Sequence, residues 1–206
     1  MGSRTFADDY RWQLQFEPAV TEIITDAFGI GEFDVTFTRP DSDDDRRFNT
    51  DILVRIDGNV KRVSQRLRTY LVGDDFTMRY ARPSSLTEWQ KLWAGYGDFY
   101  LYGQGTARRT VENWFLGDLG VFRRWANSFL RRGEPPPHIE KSNRDGSSTF
   151  VAFSRADLPP EFTIAEDPDA GLRDVCWTIV RDGKGMSATG HASTVRWARA
   201  VLGLDE

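Results

Sequence analysis

The chain has 206 residues, 39% hydrophobic and 13% aromatic, enough apolar surface for one domain with a true core and too much for a disordered chain. A net charge of −4 excludes a uniform polycation, and no apolar window approaches the roughly 18 residues of a membrane span. The single cysteine, Cys176, excludes an internal disulfide, and the N-terminus has no apolar signal-peptide core, so a reducing cytoplasm is the expected compartment.

Residues 8–28 read as helical, because Val20, Ile23, Ile24, Ala27 and Phe28 keep helical spacing and Gly29 is a stop signal. Pro18 suits a first turn, which puts the start of the regular helix near Glu17. FDVTFT (33–38) alternates as a strand, and residues 39–49 read as a polar, solvated loop. In that loop DSDDD (41–45) abuts Arg46 and Arg47, and basic residues then recur as far as Arg68, so a local basic surface is compatible with the negative total. Only four of the 27 basic residues are lysines. The excess of arginine suits bidentate phosphate contact, although a GC-rich genome accounts for it equally well.

Residues 48–71 read as two strands around a tight turn at Asp57-Gly58-Asn59, followed by a strand at DFTMRYA (75–81). A short helix is expected from Ser84 or Ser85, with Glu88 placed for a capping box. DFYLYG (98–103) and VENWFLGDLG (111–120) read as strands, and VFRRWANSFLRRG as a helix closed by Gly133. GEPPPH (133–138) is a stiff proline linker, STFVAFSR a further strand, and DLPPEFTIA an extended edge. EDPDAG (166–171) marks a boundary, and the remainder reads strand, turn, strand, helix. The expected architecture is therefore α/β or α+β, with a mixed sheet in a core domain over 1–165 and a small ββα unit over 166–206.

The hairpin holds most of the charged chemistry. Alternation places Arg62, Ser64, Arg66 and Arg68 on one face of the second strand, and Val63, Gln65 and Leu67 on the other. Asp51, at the start of the first strand, suits a cap, a pair with Arg66 or Arg68, or a metal ligand. Asp98 and Asp118 sit beside small residues at strand ends, as turn or cap positions. His138 and His191 are too far apart in sequence to suggest a metal site or a triad, Cys176 lies in an apolar stretch beside Trp177, and GQGTARR falls short of a phosphate-binding loop.

The order α-β-β-β-α-β, with Asp51 opening the second strand, resembles the PD-(D/E)XK nuclease superfamily, whose fold is restriction-endonuclease-like. The resemblance implies a Mg²⁺ ion held by Asp51 and a first-helix carboxylate, Glu22 or Glu17, and a phosphodiester substrate. It puts the (E/Q)-x-K slot on Arg66-Leu67-Arg68, so that Arg68 takes the place of the lysine. Arg66 then stands where the superfamily has an acid, and a one-residue bulge would bring Gln65 to that place instead. Residues 48–125 also resemble a group of phage and prophage proteins with a TDL segment, an RxR strand and a GWGDxxFYG segment. Together these imply a phage-type protein acting on nucleic acid, with Lys61, Arg62, Arg66 and Arg68 as phosphate contacts. The alternative is a non-catalytic accessory or inhibitor protein that binds nucleic acid through the arginine strand, or a host protein through the acidic loop 41–45.

Overall fold

The N-terminal helical stretch is broken in two. In the computed structural model, which describes residues 6–39, 42–48, 50–69, 75–81, 86–142 and 148–170, helix α1 spans Phe6–Leu14 and α2 spans Glu17–Phe28. The break lets Phe16 turn its ring into the core, where it is 1% exposed, and Pro18 sits in the first turn of α2, where no N–H is needed. Val20, Ile23 and Ile24 form the buried stripe of α2, and Gly29 closes it in the left-handed region at φ 63°. The strand β1, Val35–Phe37, follows.

Where a polar loop is expected, there is a short helix, α3, Asp43–Phe48. Asp43 and Asp44 lie at its N-terminal end, where carboxylates complement the helix dipole. Phe48 at its other end meets the ring of Tyr96 at 4.9 Å between centroids. A composition rich in aspartate reads as loop, whereas in the fold Phe48 of this segment packs on Tyr96, far along the chain.

Strands β2 (Ile52–Ile56) and β3 (Asn59–Arg68) make the expected hairpin, with Ile56 opposite Asn59. The two loop residues, Asp57 and Gly58, have φ of 49° and 76°, the left-handed pair that a two-residue turn needs to match the twist of the strands. Next come β4 (Asp75–Ala81), α4 (Glu88–Trp93), β5 (Phe99–Gly105) and β6 (Val111–Asp118). Helix α5 (Leu119–Leu130) is capped by the Asp118 carboxylate, which accepts from the amides of Gly120 and Val121 at 2.6 and 3.0 Å. Strands β7 (Ile139–Ser142), β8 (Thr149–Ser154) and β9 (Thr163–Glu166) complete the described elements, and a 3-10 turn at Pro160–Phe162 replaces the first part of the expected extended edge.

These strands form two sheets. The larger runs β1-β2-β3-β5-β6-β9, and the smaller runs β4-β8-β7. In the larger sheet β1–β2, β2–β3 and β5–β6 are antiparallel, whereas β3 and β5 are parallel. A parallel pair needs a long crossover, and residues 69–98 supply it. Strand β4 lies within that crossover but leaves the large sheet to pair with β8. Phe76, Thr77 and Met78 of β4 are consecutive buried residues, so the strand is enclosed on both faces.

Alternation along β5 divides the core. Leu101 faces α2 with Val20, Ile24, Ile52, Val54, Val63 and Leu116, while Tyr100 and Tyr102 face the aromatic side built on Phe76, Phe115, Phe122, Phe153 and Phe162. The Phe76 ring lies 5.5 Å from Phe115, 5.6 Å from Phe153 and 5.5 Å from Phe162. The chain divides into two compact units, Met1–Ala165 and Glu166–Glu206. The ββα arrangement expected after residue 171 lies outside the described residues. Among those residues, no helix is long and apolar enough to cross a membrane.

Candidate functional site

Arg66 and Arg68 project from β3 onto its aromatic side, and both are enclosed. The Arg66 Nη1 donates to both oxygens of Glu88, at 3.0 and 2.9 Å, and Glu88 Oε2 also accepts the backbone N–H of Arg79 at 3.0 Å. Burial works against both charges, raising the carboxyl and lowering the guanidinium. For Glu88, the Arg66 and Arg79 charges and the Arg79 amide outweigh it and hold the carboxyl below its ordinary value. For Arg66, the Glu88 carboxylate and the Tyr100 and Tyr102 hydroxyls outweigh it and hold the guanidinium above its ordinary value. Both groups are ionised, and their pair ties the large sheet to α4.

Glu88 is not the capping-box residue that its spacing from Ser85 suggests. The cap is Thr87, whose hydroxyl accepts from Gln90 N, while Gln90 Oε1 accepts from Thr87 N at 3.0 Å. A box shifted by two residues frees the Glu88 side chain to turn inward.

Arg68 makes a different set of contacts. Its Nε donates to the Tyr102 hydroxyl at 3.2 Å and its Nη2 to the Thr77 hydroxyl. Tyr100 donates to the Thr77 carbonyl at 3.0 Å, and burial, with the Glu88 charge, pushes the Tyr100 phenol well above its ordinary range, so it stays a neutral donor. The guanidinium carbons of Arg66, Arg68 and Arg79 lie 4.7, 5.9 and 5.7 Å from the centroid of one ring, Phe150.

Asp51 sits where β3 runs on past the end of β2. Its Oδ2 accepts the Gln65 N–H at 2.6 Å, continuing the ladder that its own N–H begins with the Val63 carbonyl at 3.0 Å. The structure therefore joins Asp51 to Gln65, and it joins Arg66 to Glu88. Gln65 keeps a second feature: its Oε1 is buried without a hydrogen-bond partner. On α2, Glu22 is exposed on the side away from the buried stripe, and Glu17 is half-buried at the first position, where burial raises its carboxyl. Among the described residues no three His, Cys, Asp or Glu side chains converge in a metal-binding group.

The other end of β3 carries a second constellation. Arg62 N–H donates to Asp98 Oδ2 and Asp98 N–H donates to the Arg62 carbonyl, each at 2.8 Å, so the Asp98 carboxylate extends the ladder at the start of β5. The Arg62 side chain lies over Phe48 with Cζ 5.3 Å from the ring centroid, its Nε buried without a hydrogen-bond partner. Arg47 covers the same ring at 5.6 Å. Arg123 reaches the same corner from α5, donating to the carbonyls of Tyr96 and Gly97 at 3.2 Å. Phe48, Tyr96 and Arg47 were not among the residues that the sequence marks for binding. The run of arginines after the acidic segment was a signal for Arg47, but nothing local pairs residue 48 with residue 96. Comparison with protein families and with characterised proteins finds no match for this chain.

Proposed function

We propose that the chain is a nucleic-acid-binding protein built on a nuclease-like sheet, with its contact surface at the Arg62 end of β3. The observation that carries this reading is the stack of Arg47 and Arg62 on Phe48 beside Tyr96. Guanidinium groups held on aromatic rings offer phosphate contact, and an aromatic edge beside them offers a surface for bases. Arg66 is committed to Glu88 and Arg68 to two hydroxyls, so of the four phosphate contacts expected on this strand Arg62 carries the reading, while Lys61 lies on the other face of β3. The antiparallel hairpin, the parallel β3–β5 pair and the helix between them support the α-β-β-β-α-β resemblance.

The test is retardation of single-stranded and duplex DNA, and of RNA, at low salt. The Arg47→Ala/Arg62→Ala double variant is expected to weaken binding and to lower the salt slope by about 2, one unit for each phosphate contact removed. A wild-type protein that retards none of these at low salt overturns the proposal.

A second reading, Mg²⁺-dependent phosphodiester cleavage, is favoured by the position of Asp51 against Gln65. The Asp51 carboxylate and the Gln65 amide oxygen, the latter buried without a hydrogen-bond partner, are ligands of the hard kind that Mg²⁺ prefers. Glu17 and Glu22 on α2 are the supporting carboxylates of that reading. Bound there, the metal would supply Lewis-acid activation of the scissile phosphate. The chain's own part would be to hold the ligand strand in register through the Asp51–Gln65 amide bond. Plasmid nicking in Mg²⁺ or Mn²⁺ that disappears in Asp51→Ala upholds it; intact plasmid with the wild type in both metals removes it and leaves the binding reading standing.

A further inference from the structure

We propose that β1 is the contact strand of a homodimer. A second copy of this chain pairs antiparallel along it, and the large sheet continues from one copy into the other. This interface is separate from the Arg62 stack and does not rest on the nucleic-acid reading.

Among the described residues the large sheet ends at β1. Edge strands are ordinarily guarded by charge, proline or a bulge. The edge strand β7 carries Glu140 and Lys141, and the edge strand β9 ends in Glu166. Val35, Thr36 and Phe37 of β1 have no such guard. Thr38 N–H donates to the Asp51 carbonyl at 2.9 Å, so by alternation Thr36 also faces β2. The backbone groups of Val35, Phe37 and Arg39 then point away from β2. Of these, the Val35 N–H is used locally on the Glu32 carbonyl, and the Arg39 carbonyl on the Ser42 N–H. Among the described residues, those left for a second chain are the Val35 carbonyl, the Phe37 N–H and carbonyl, and the Arg39 N–H. A two-fold axis at Phe37 uses each of them. Phe37 pairs reciprocally with Phe37 of the second copy, and each Arg39 N–H reaches a Val35 carbonyl. The same register sets the Phe37 rings across the axis from each other and each Thr36 opposite a Thr38, pairs that stabilise antiparallel strands.

Side chains select a second copy as the occupant. Phe33, in the 3-10 turn Glu32–Asp34 just before β1, is 104% exposed. The segment is acidic at its start, at Glu32 and Asp34, and basic at its end, at Arg39. Antiparallel pairing sets Arg39 of each copy beside the Glu32–Asp34 turn of the other, where the guanidinium can cover the Phe33 ring. Parallel pairing would bring like charges together, and a two-fold axis does not produce it.

Analytical ultracentrifugation of the nucleic-acid-free full chain, from low micromolar to several hundred micromolar, tests the interface. The expected result is a reversible monomer–dimer equilibrium, with amide exchange at Phe37 and Arg39 slowing as concentration rises. Phe33→Ser, and Arg39→Glu, which sets like charges face to face, are each expected to weaken the dimer by about tenfold or more. Glu32→Lys/Asp34→Lys/Arg39→Glu, which swaps the charges of the two ends, is expected to restore it. Ile139→Ser, on the edge of the smaller sheet, is expected to dimerise like the wild type. A mass of one chain throughout that range overturns the proposal. So does a dimer that Phe33→Ser and Arg39→Glu leave unchanged, or one that forms without slower exchange at Phe37 and Arg39, since either places the contact elsewhere. Should a charge variant lose its fold, Phe33→Ser carries the test by itself.

Discussion

Glu88 shows how a single side chain can be misread locally and still be decisive. Around Glu88, three residues after Ser85 and two before Gln90, the chain offers two overlapping capping boxes, and spacing alone does not choose between them. The choice is made by Arg66, 22 positions earlier in sequence, which draws the carboxylate inward. Removing one partner of such an enclosed pair leaves the other charge uncompensated, so Glu88→Gln is expected to destabilise the fold by about 3–5 kcal/mol in urea denaturation. The pH dependence follows in sign. The folded carboxyl titrates below its ordinary value of 4.5, so its contribution is complete above that value and is lost as pH falls through the depressed folded value. Stability of the wild type should therefore fall with acidification below about pH 4.5, and the part of the slope due to this group should vanish in Glu88→Gln.

Among the elements, the β2–β3 hairpin was the most legible, since Asp57-Gly58 between two alternating runs has few other solutions. Gly58 has φ 76°, and a β-branched residue there meets the full cost of the left-handed region. Gly58→Val is expected to lose about 1–2 kcal/mol of stability, read as a lower denaturation midpoint at unchanged m-value. Helix α3 was illegible for the opposite reason. Its aspartates read as solvated loop, and its long-range contacts, Tyr96 and Arg62 on Phe48, are ones that local sequence does not announce. Strand β4 lies between these cases. Its alternation marked it as a strand, yet no feature of DFTMRYA names its partner, and the long crossover gave it the freedom to pair with β8.

At the scale of the whole unit, the two sheets are welded by aromatic rings. Phe76 of β4 packs against Phe115 and Phe162 of the large-sheet side and against Phe153 of β8, its own sheet. Phe76→Ala is expected to cost about 3–5 kcal/mol and to lower Tm, the range for an enclosed aromatic truncated to a cavity. If the loss were instead that of a surface residue, the two sheets would not share one core. Charge is also arranged at this scale. The chain totals −4, yet β3 carries basic groups at both of its ends, one end stacked on rings at the surface and the other enclosed between the sheets.

The sequence by itself determined the strand alternation, the tight turn, the start of α2 and the mixed α and β character, because these depend on φ/ψ preferences and spacing within a few residues. It also brought Asp51, Gln65, Arg66 and Arg68 to attention. Only the tertiary structure decided what each of them touches. Asp51 meets Gln65 across the hairpin itself, whereas Arg66 turned to Glu88 and Arg68 to Tyr102 and Thr77, since those partners lie on strands and a helix joined to β3 through the crossover. The opposing charges and hydroxyls that settle an arginine's role are set by how β4 and α4 fold back over β3. That return is a matter of burial across the whole core, not of the residues beside the arginine in the chain.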